Sequence, residues 1–135
     1  FVPFFADRSD LFAHLQTVKF AVLPCKLDNL SGTQLQSMRY GLPVVCYRTT
    51  GTPSLNSEKE CVLIAEMNDI EGLASKMLYL LDNPAKAEEL RVNSKQYIGK
   101  LDNATKDNVE DLVKNFRAIV KNYHNGEGIP QEQLL

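Results

Sequence analysis

A chain of 135 residues, 44% hydrophobic and with a formal net charge of -2, can fill one ordinary core and carries no electrostatic footprint for nucleic acid or an anionic membrane surface. No apolar run approaches the roughly 20 residues that span a bilayer, and no charged leader precedes a short apolar block, so a soluble, cytoplasmic protein is expected. Cys25, Cys46 and Cys61 are odd in number, sit at the ends of apolar runs and lack CxxC spacing; they read as buried free thiols of a reducing compartment rather than a metal site or a disulfide.

The chain opens on Phe1 rather than Met, and FVPFF at residues 1–5 reads as a strand entered part-way, which points to a fragment of a longer polypeptide. Asp7 and Ser9 then offer N-caps for a helix carrying Leu11, Phe12 and Leu15. KFAVLPC is a strand stopped by Pro24, and a second helix is expected from about Ser31 to Tyr40, ended by Gly41. PVVCY, residues 43–47, has no polar alternation and reads as a strand buried on both faces. The loop RTTGTPSLNSEKE separates it from a further strand, CVLIA at residues 61–65.

From residue 69 onward the pattern is helical. Ile70, Leu73, Ala74, Met77, Leu78 and Leu81 fall on one stripe, Asn83-Pro84 starts another helix to about Tyr97, and a last helix is expected over about 104–123. That last segment has Val109, Leu112, Val113, Phe116, Ile119, Val120 and Tyr123 on one wide apolar face. His14 and His124 lie in helix-like segments and carry no expected catalytic role. Strands alternating with helices predict an α/β fold: a partial doubly wound, Rossmann-like parallel sheet of about four strands with C-terminal helices. The expected organisation is an α/β domain at 1–101 truncated at its N-terminus, a helix at 102–124 that packs on the domain or crosses from it, and a polar tail at 125–135.

In such sheets ligands sit beyond the carboxyl ends of the strands, and LDNLSGTQLQSMRYGLPVV, residues 27–45, lies at such a place. Ser31 and Gln34 fit a capping box, and Gly32 lets a ligand approach the backbone. The first helical turn offers unpaired N–H groups and about half a positive charge, which suits a phosphate. Gln36 lies about 7 Å further along the axis than Ser31, so a diphosphate at the turn would have Asp28 on one side and Gln36 on the other. Capping and an Asx-turn at Asp28 and Asn29 are the purely structural alternative. Residues 1–50 hold five Lys or Arg against three Asp, whereas residues 51–135 hold ten against fourteen acidic residues, so the half with this stretch is the more positive one.

The order of these features resembles the C-terminal nucleotide-sugar domain of GT-B fold glycosyltransferases, most closely the large retaining family 4. The residues that carry the resemblance are Pro24-Cys25, Asp28, Leu30-Ser31, Gln36-Ser37-Met38-Arg39, Gly41, Pro43-Val44-Val45 and Thr50-Gly51, followed by IEGLASKMLYLLDNP at residues 70–84. The family's two glutamates, with seven residues between them, appear here as Asp28 and Gln36. An amide at 36 can accept from one ribose hydroxyl and donate to the other, without the charge assistance of a carboxylate.

The resemblance implies a hexosyltransferase-like enzyme that passes a sugar from a nucleotide sugar, a UDP-sugar, to a saccharide or lipid-linked acceptor in glycan or polysaccharide biosynthesis. It implies a place in the cytoplasm or at the inner face of the membrane. Asp28 would hold the donor sugar as the catalytic carboxylate, while Asn29, Leu30, Ser31, Gly32, Thr33, Gln36 and Gly51 would bind the nucleotide sugar. No metal or cofactor is implied. An acceptor domain and a diphosphate-clamping Arg and Lys would precede Phe1, so the isolated chain is expected to be inactive, with a homodimer through the last helix's apolar face as a further partner. Among Arg8, Lys19, Lys26, Arg39 and Arg48 only Lys26 is a weak ligand candidate. The alternative is a non-catalytic nucleotide-binding or assembly module with a degenerate donor site. A receiver-like domain is disfavoured because the strand ends lack an acidic cluster for Mg2+.

Overall fold

The computed structural model describes residues 5–126, with the backbone alone for Arg8, His124 and Asn125. The chain divides into two compact units, Phe1–Ile98 and Gly99–Leu135. In the first, α1 (Arg8–Leu15), β1 (Ala21–Leu23), α2 (Gly32–Arg39), β2 (Val44–Tyr47), a 3-10 helix (Thr52–Asn56), β3 (Val62–Ala65) and α3 (Ile70–Asp82) follow in order, and α4 begins at Pro84.

The three strands form one parallel sheet in the order β1-β2-β3. Ala21 pairs with Val44 and Leu23 with Cys46, while Val44 pairs with Val62 and Tyr47 with Ala65. β2 is buried at every residue, as its run of apolar residues requires of a strand covered on both faces. Sheet and helices share a core of Val45, Tyr47, Leu63, Ala65, Leu73, Leu80 and Leu90, with Phe20, Val22, Met67, Met77 and Ala87 against it. The sheet has three strands among the described residues, not the expected four: residues 1–4 of the first expected strand lie outside the described residues, and Phe5 is not in a strand.

Helix ends follow the sequence signals. Asp7 caps α1, its carboxylate accepting from Ser9 N–H at 2.8 Å. At the end of α2 the Leu42 N–H donates to Ser37 C=O and the Gly41 N–H to Met38 C=O, each at 2.9 Å, the paired bonds of a Schellman turn. Gly41 takes a φ of 72°, which a residue with a Cβ adopts only with strain.

Three expectations are corrected. The loop after β2 contains the 3-10 helix, begun by Thr52-Pro53, where the proline fixes φ at a helical value. The α3 stripe splits: Leu73 and Leu80 are buried and Met77 packs on the core, whereas Ile70, Leu78 and Leu81 are exposed, because the apolar positions spread over more of the helix than one sheet can cover. The two helices expected after Pro84 are one, α4 (Pro84–Asn125), 42 residues long. Gly99 alone stands at the expected break, and one glycine costs a helix about 1 kcal/mol against alanine, too little to interrupt it. Thr105 Oγ1 donates to Leu101 C=O at 2.8 Å, satisfying its hydroxyl within the helix.

In the second unit Val109, Leu112, Val113, Phe116, Ile119, Val120 and Tyr123 lie exposed on α4. Among the described residues no helix is long and apolar enough to cross a membrane. The expected polar tail lies outside the described residues from position 127 onward.

β3 is held at its start by polar side chains from outside the sheet. Asn56 Oδ1 accepts from the N–H groups of Cys61 and Val62 at 2.8 and 3.1 Å, and its amide donates to Val62 C=O at 2.9 Å. Ser94 Oγ on α4 donates to Cys61 C=O at 2.8 Å, fully buried. Replacing Asn56 by Ala leaves three buried backbone groups unpaired at about 1 to 3 kcal/mol for the site. Thermal unfolding of Asn56→Ala should therefore fall by roughly 5 to 15 °C, while exposed Asn103→Ala stays within about 2 °C.

Candidate functional site

Two loops meet at the carboxyl ends of adjacent strands: residues 24–31 after β1 and residues 48–51 after β2. They are tied at one atom. The Asn29 carbonyl oxygen accepts from Thr49 Oγ1 at 2.8 Å and from the Gly51 N–H at 3.0 Å. Thr49 is itself fixed, its N–H donating to Oγ1 of the fully buried Thr52 at 2.9 Å. Ser54 donates to Gly51 C=O from N–H and Oγ at 3.1 and 2.7 Å. A Cβ on Gly51 would overlap the Asn29 carbonyl, so this glycine serves the close approach of the two loops.

The start of α2 is built as its spacing predicts. Ser31, a buried residue, is the N-cap, and both halves of the capping box are present. Ser31 Oγ accepts from Thr33 N–H at 3.3 Å, and Gln34 Oε1 accepts from Ser31 N–H at 3.2 Å. Of the four amides from Leu30 to Thr33, those of Ser31 and Thr33 are thus occupied by the cap. The N–H groups of Leu30 and Gly32 have no partner among the described residues. A Cβ on Gly32 would meet nothing within 4 Å, so the chain's own packing does not require glycine there.

The side chains expected at the site are presented outward. Asp28, Asn29, Thr33 and Gln36 are exposed, and the Asp28 carboxylate makes no hydrogen bond or ion pair among the described residues. Lys26 is exposed beside it. Arg48 is committed elsewhere, its Nε pairing with Glu66 at 2.8 Å. Among the described residues there is no group of three or more His, Cys, Asp or Glu that would hold a metal ion. Two free amides at a positive helix end suit an anion, and a carboxylate and an amide on either side suit hydroxyl groups.

Two features had no signal in spacing. The Thr49–Asn29 tie joins residues 20 apart, and only the sheet brings them together. The other is Gln34, 3% exposed, which accepts from the cap and whose side chain also lowers the pKa of the Cys46 thiol on β2. Burial pushes that thiol from an ordinary 9.0 to about 11, with the Gln34 side chain opposing and nearby Cys25 adding to the rise. All three cysteines are free; Cys46 and Cys61 are buried as expected, but Cys25, just past β1 at the edge of the loop, is half-buried.

The Cys46 environment gives a pH dependence of definite sign. The unfolded thiol ionises before the folded one, so this contribution to stability is complete below about pH 9 and is lost as pH rises through the folded value of about 11. Burial raises Cys61 as well and adds a decline of the same sign. Urea unfolding at pH 8 and pH 10.5 should show the wild-type chain losing stability between the two, with a visibly smaller loss in Cys46→Ala.

The sequence model of the family described as Glycosyl transferases group 1 matches residues 1–97. A glycosyltransferase of Haemophilus influenzae is 22% identical over 124 residues, which are 88% of this chain and 32% of that protein. A 2-deoxystreptamine N-acetyl-D-glucosaminyltransferase of Niallia circulans is 21% identical over 91 residues, 67% of this chain and 23% of that protein. The chain thus spans a third or less of the curated relatives it matches. The family match takes in all three strands, the tied loops and α2, and this protein belongs to the glycosyl transferases group 1 family.

Proposed function

We propose that the chain is the donor-binding part of a retaining glycosyltransferase that moves a sugar from a nucleotide sugar, a UDP-sugar, to a saccharide or lipid-linked acceptor. The observation that carries this reading is the set of free groups at one place: the Leu30 and Gly32 amides, the Asp28 carboxylate and the Gln36 amide, all at the carboxyl end of a parallel sheet. Their chemistry matches the parts of a nucleotide sugar. The amides and the helix end stabilise the diphosphate as charge develops on it when the glycosidic bond breaks. Asp28 accepts hydrogen bonds from donor-sugar hydroxyls, and Gln36 accepts from one ribose hydroxyl while donating to the other.

On this reading the α/β domain at 1–101 supplies the donor half of the enzyme. An acceptor domain and the cations that clamp the diphosphate come from elsewhere in the whole protein, so the 135-residue chain binds donor without turning it over. The name of the Niallia circulans relative makes UDP-N-acetylglucosamine a reasonable first probe. A second reading, a non-catalytic nucleotide-binding module, is favoured by one residue, Gln36 where the resemblance expects a carboxylate.

Gly32→Ala separates ligand binding from folding. Since the added methyl meets no protein atom, thermal stability should hold or rise, while a phosphate lying on the backbone would be displaced and UDP affinity should drop about tenfold, equivalent to 1.4 kcal/mol. Unchanged affinity in a folded Gly32→Ala chain would contradict the proposed cradle. Gln36→Glu tests the second reading: tighter or equal UDP binding marks a working ribose contact, and absence of binding in both forms marks a degenerate site.

A further inference from the structure

Resting on the donor-site reading above, we infer that Thr49 is a positioning residue: with Gly51 it clamps the Asn29 carbonyl and thereby aims the Leu30 N–H at the bound phosphate or sugar. Neither residue need touch the ligand. The peptide plane couples the two groups. Asn29 C=O and Leu30 N–H belong to the same planar trans unit and point in opposite directions, so whatever fixes the carbonyl fixes the amide. Thr49 Oγ1 at 2.8 Å and the Gly51 N–H at 3.0 Å supply two donors to this single oxygen. They turn the carbonyl toward the loop after β2, and the Leu30 N–H away from it, where it has no partner among the described residues.

The clamp is itself rigidly supported. Thr49 N–H is held by the buried Thr52 hydroxyl at 2.9 Å, and Gly51 C=O is held by Ser54. These loops follow paired strands, with Leu23 opposite Cys46, so the clamp takes its position from the sheet. A free amide on an unrestrained loop would satisfy itself with water and turn at little cost. Here its direction is set before a ligand arrives, and that pre-organisation lowers the ordering cost of binding. Asp28 precedes the clamped residue, so its carboxylate emerges from backbone fixed on one side.

The test uses the full 135-residue chain and UDP, read by amide NMR. UDP should shift the Leu30 and Gly32 amides of the wild type. Thr49→Val keeps the shape of the side chain and removes its donor; it should weaken UDP binding about three- to tenfold and diminish the Leu30 shift, while Gly32 still responds. Thr49→Ser keeps the hydroxyl and should restore both affinity and the Leu30 response. A purely structural role would lower stability without singling out Leu30. Wild-type affinity with an intact Leu30 shift in Thr49→Val would overturn the inference. So would a loss in Thr49→Ser equal to that in Thr49→Val, because the methyl and not the donor would then be responsible. If Thr49→Val does not fold, Gly51→Ala, which forces the Asn29 carbonyl aside, must abolish the Leu30 shift, and a retained shift overturns the inference. Failure of the wild type to shift either amide at saturating UDP would instead remove the donor-site reading itself, and this inference with it.

Discussion

β2 is paired on both edges and buried along its whole length, and this constraint fixes the rest of the first unit. A strand so placed cannot expose polar groups, so its sequence is Val-Val-Cys-Tyr and its neighbours must be parallel strands fed by crossovers. Each crossover brings the chain back to the same end of the sheet, and the loops that begin the crossovers collect at the other. Two such loops lie side by side here, after β1 and after β2, and in open α/β sheets it is beyond this end of the strands that ligands bind.

At that meeting point the backbone bonds are assigned with little slack. Ser31 and Gln34 satisfy two donors at the start of α2, and Thr49 and Gly51 satisfy the Asn29 carbonyl. What is left over is a small set of outward donors and acceptors on an otherwise closed network. A helix cap and a ligand site are often treated as competing explanations for the same polar residues. Here the two do not compete for donors, because the cap occupies the Ser31 and Thr33 amides and leaves those of Leu30 and Gly32 without a partner among the described residues.

Much of this could be read in the sequence because its signals are local. The Ser31 and Gln34 spacing, the Gly41 stop and the Val44-Val45 strand each depend on neighbours within a few residues, and each is found where expected. The Thr49–Asn29 clamp depends on the pairing of β1 with β2 and leaves no local trace. Likewise the apolar residues of α3 announce a helix, but which of them are covered is decided by the sheet, so Leu73 is buried and Ile70 exposed. The segment near residue 100, where a break between two helices is expected, holds polar residues and one glycine, and neither removes a hydrogen bond as proline would. Gly51 shows the same limit in reverse: the resemblance assigns it to the donor site, and its immediate demand is the Asn29 carbonyl.

On the proposed reading a donor nucleotide lies on the backbone between Asp28 and Gln36. A crystal structure of the 135-residue chain grown with millimolar UDP is the decisive test. Diphosphate oxygens should stand at hydrogen-bond distance, about 3 Å, from the Leu30 and Gly32 nitrogens, with the ribose toward Gln36. A nucleotide bound elsewhere on the chain, with both amides still facing solvent, would contradict it.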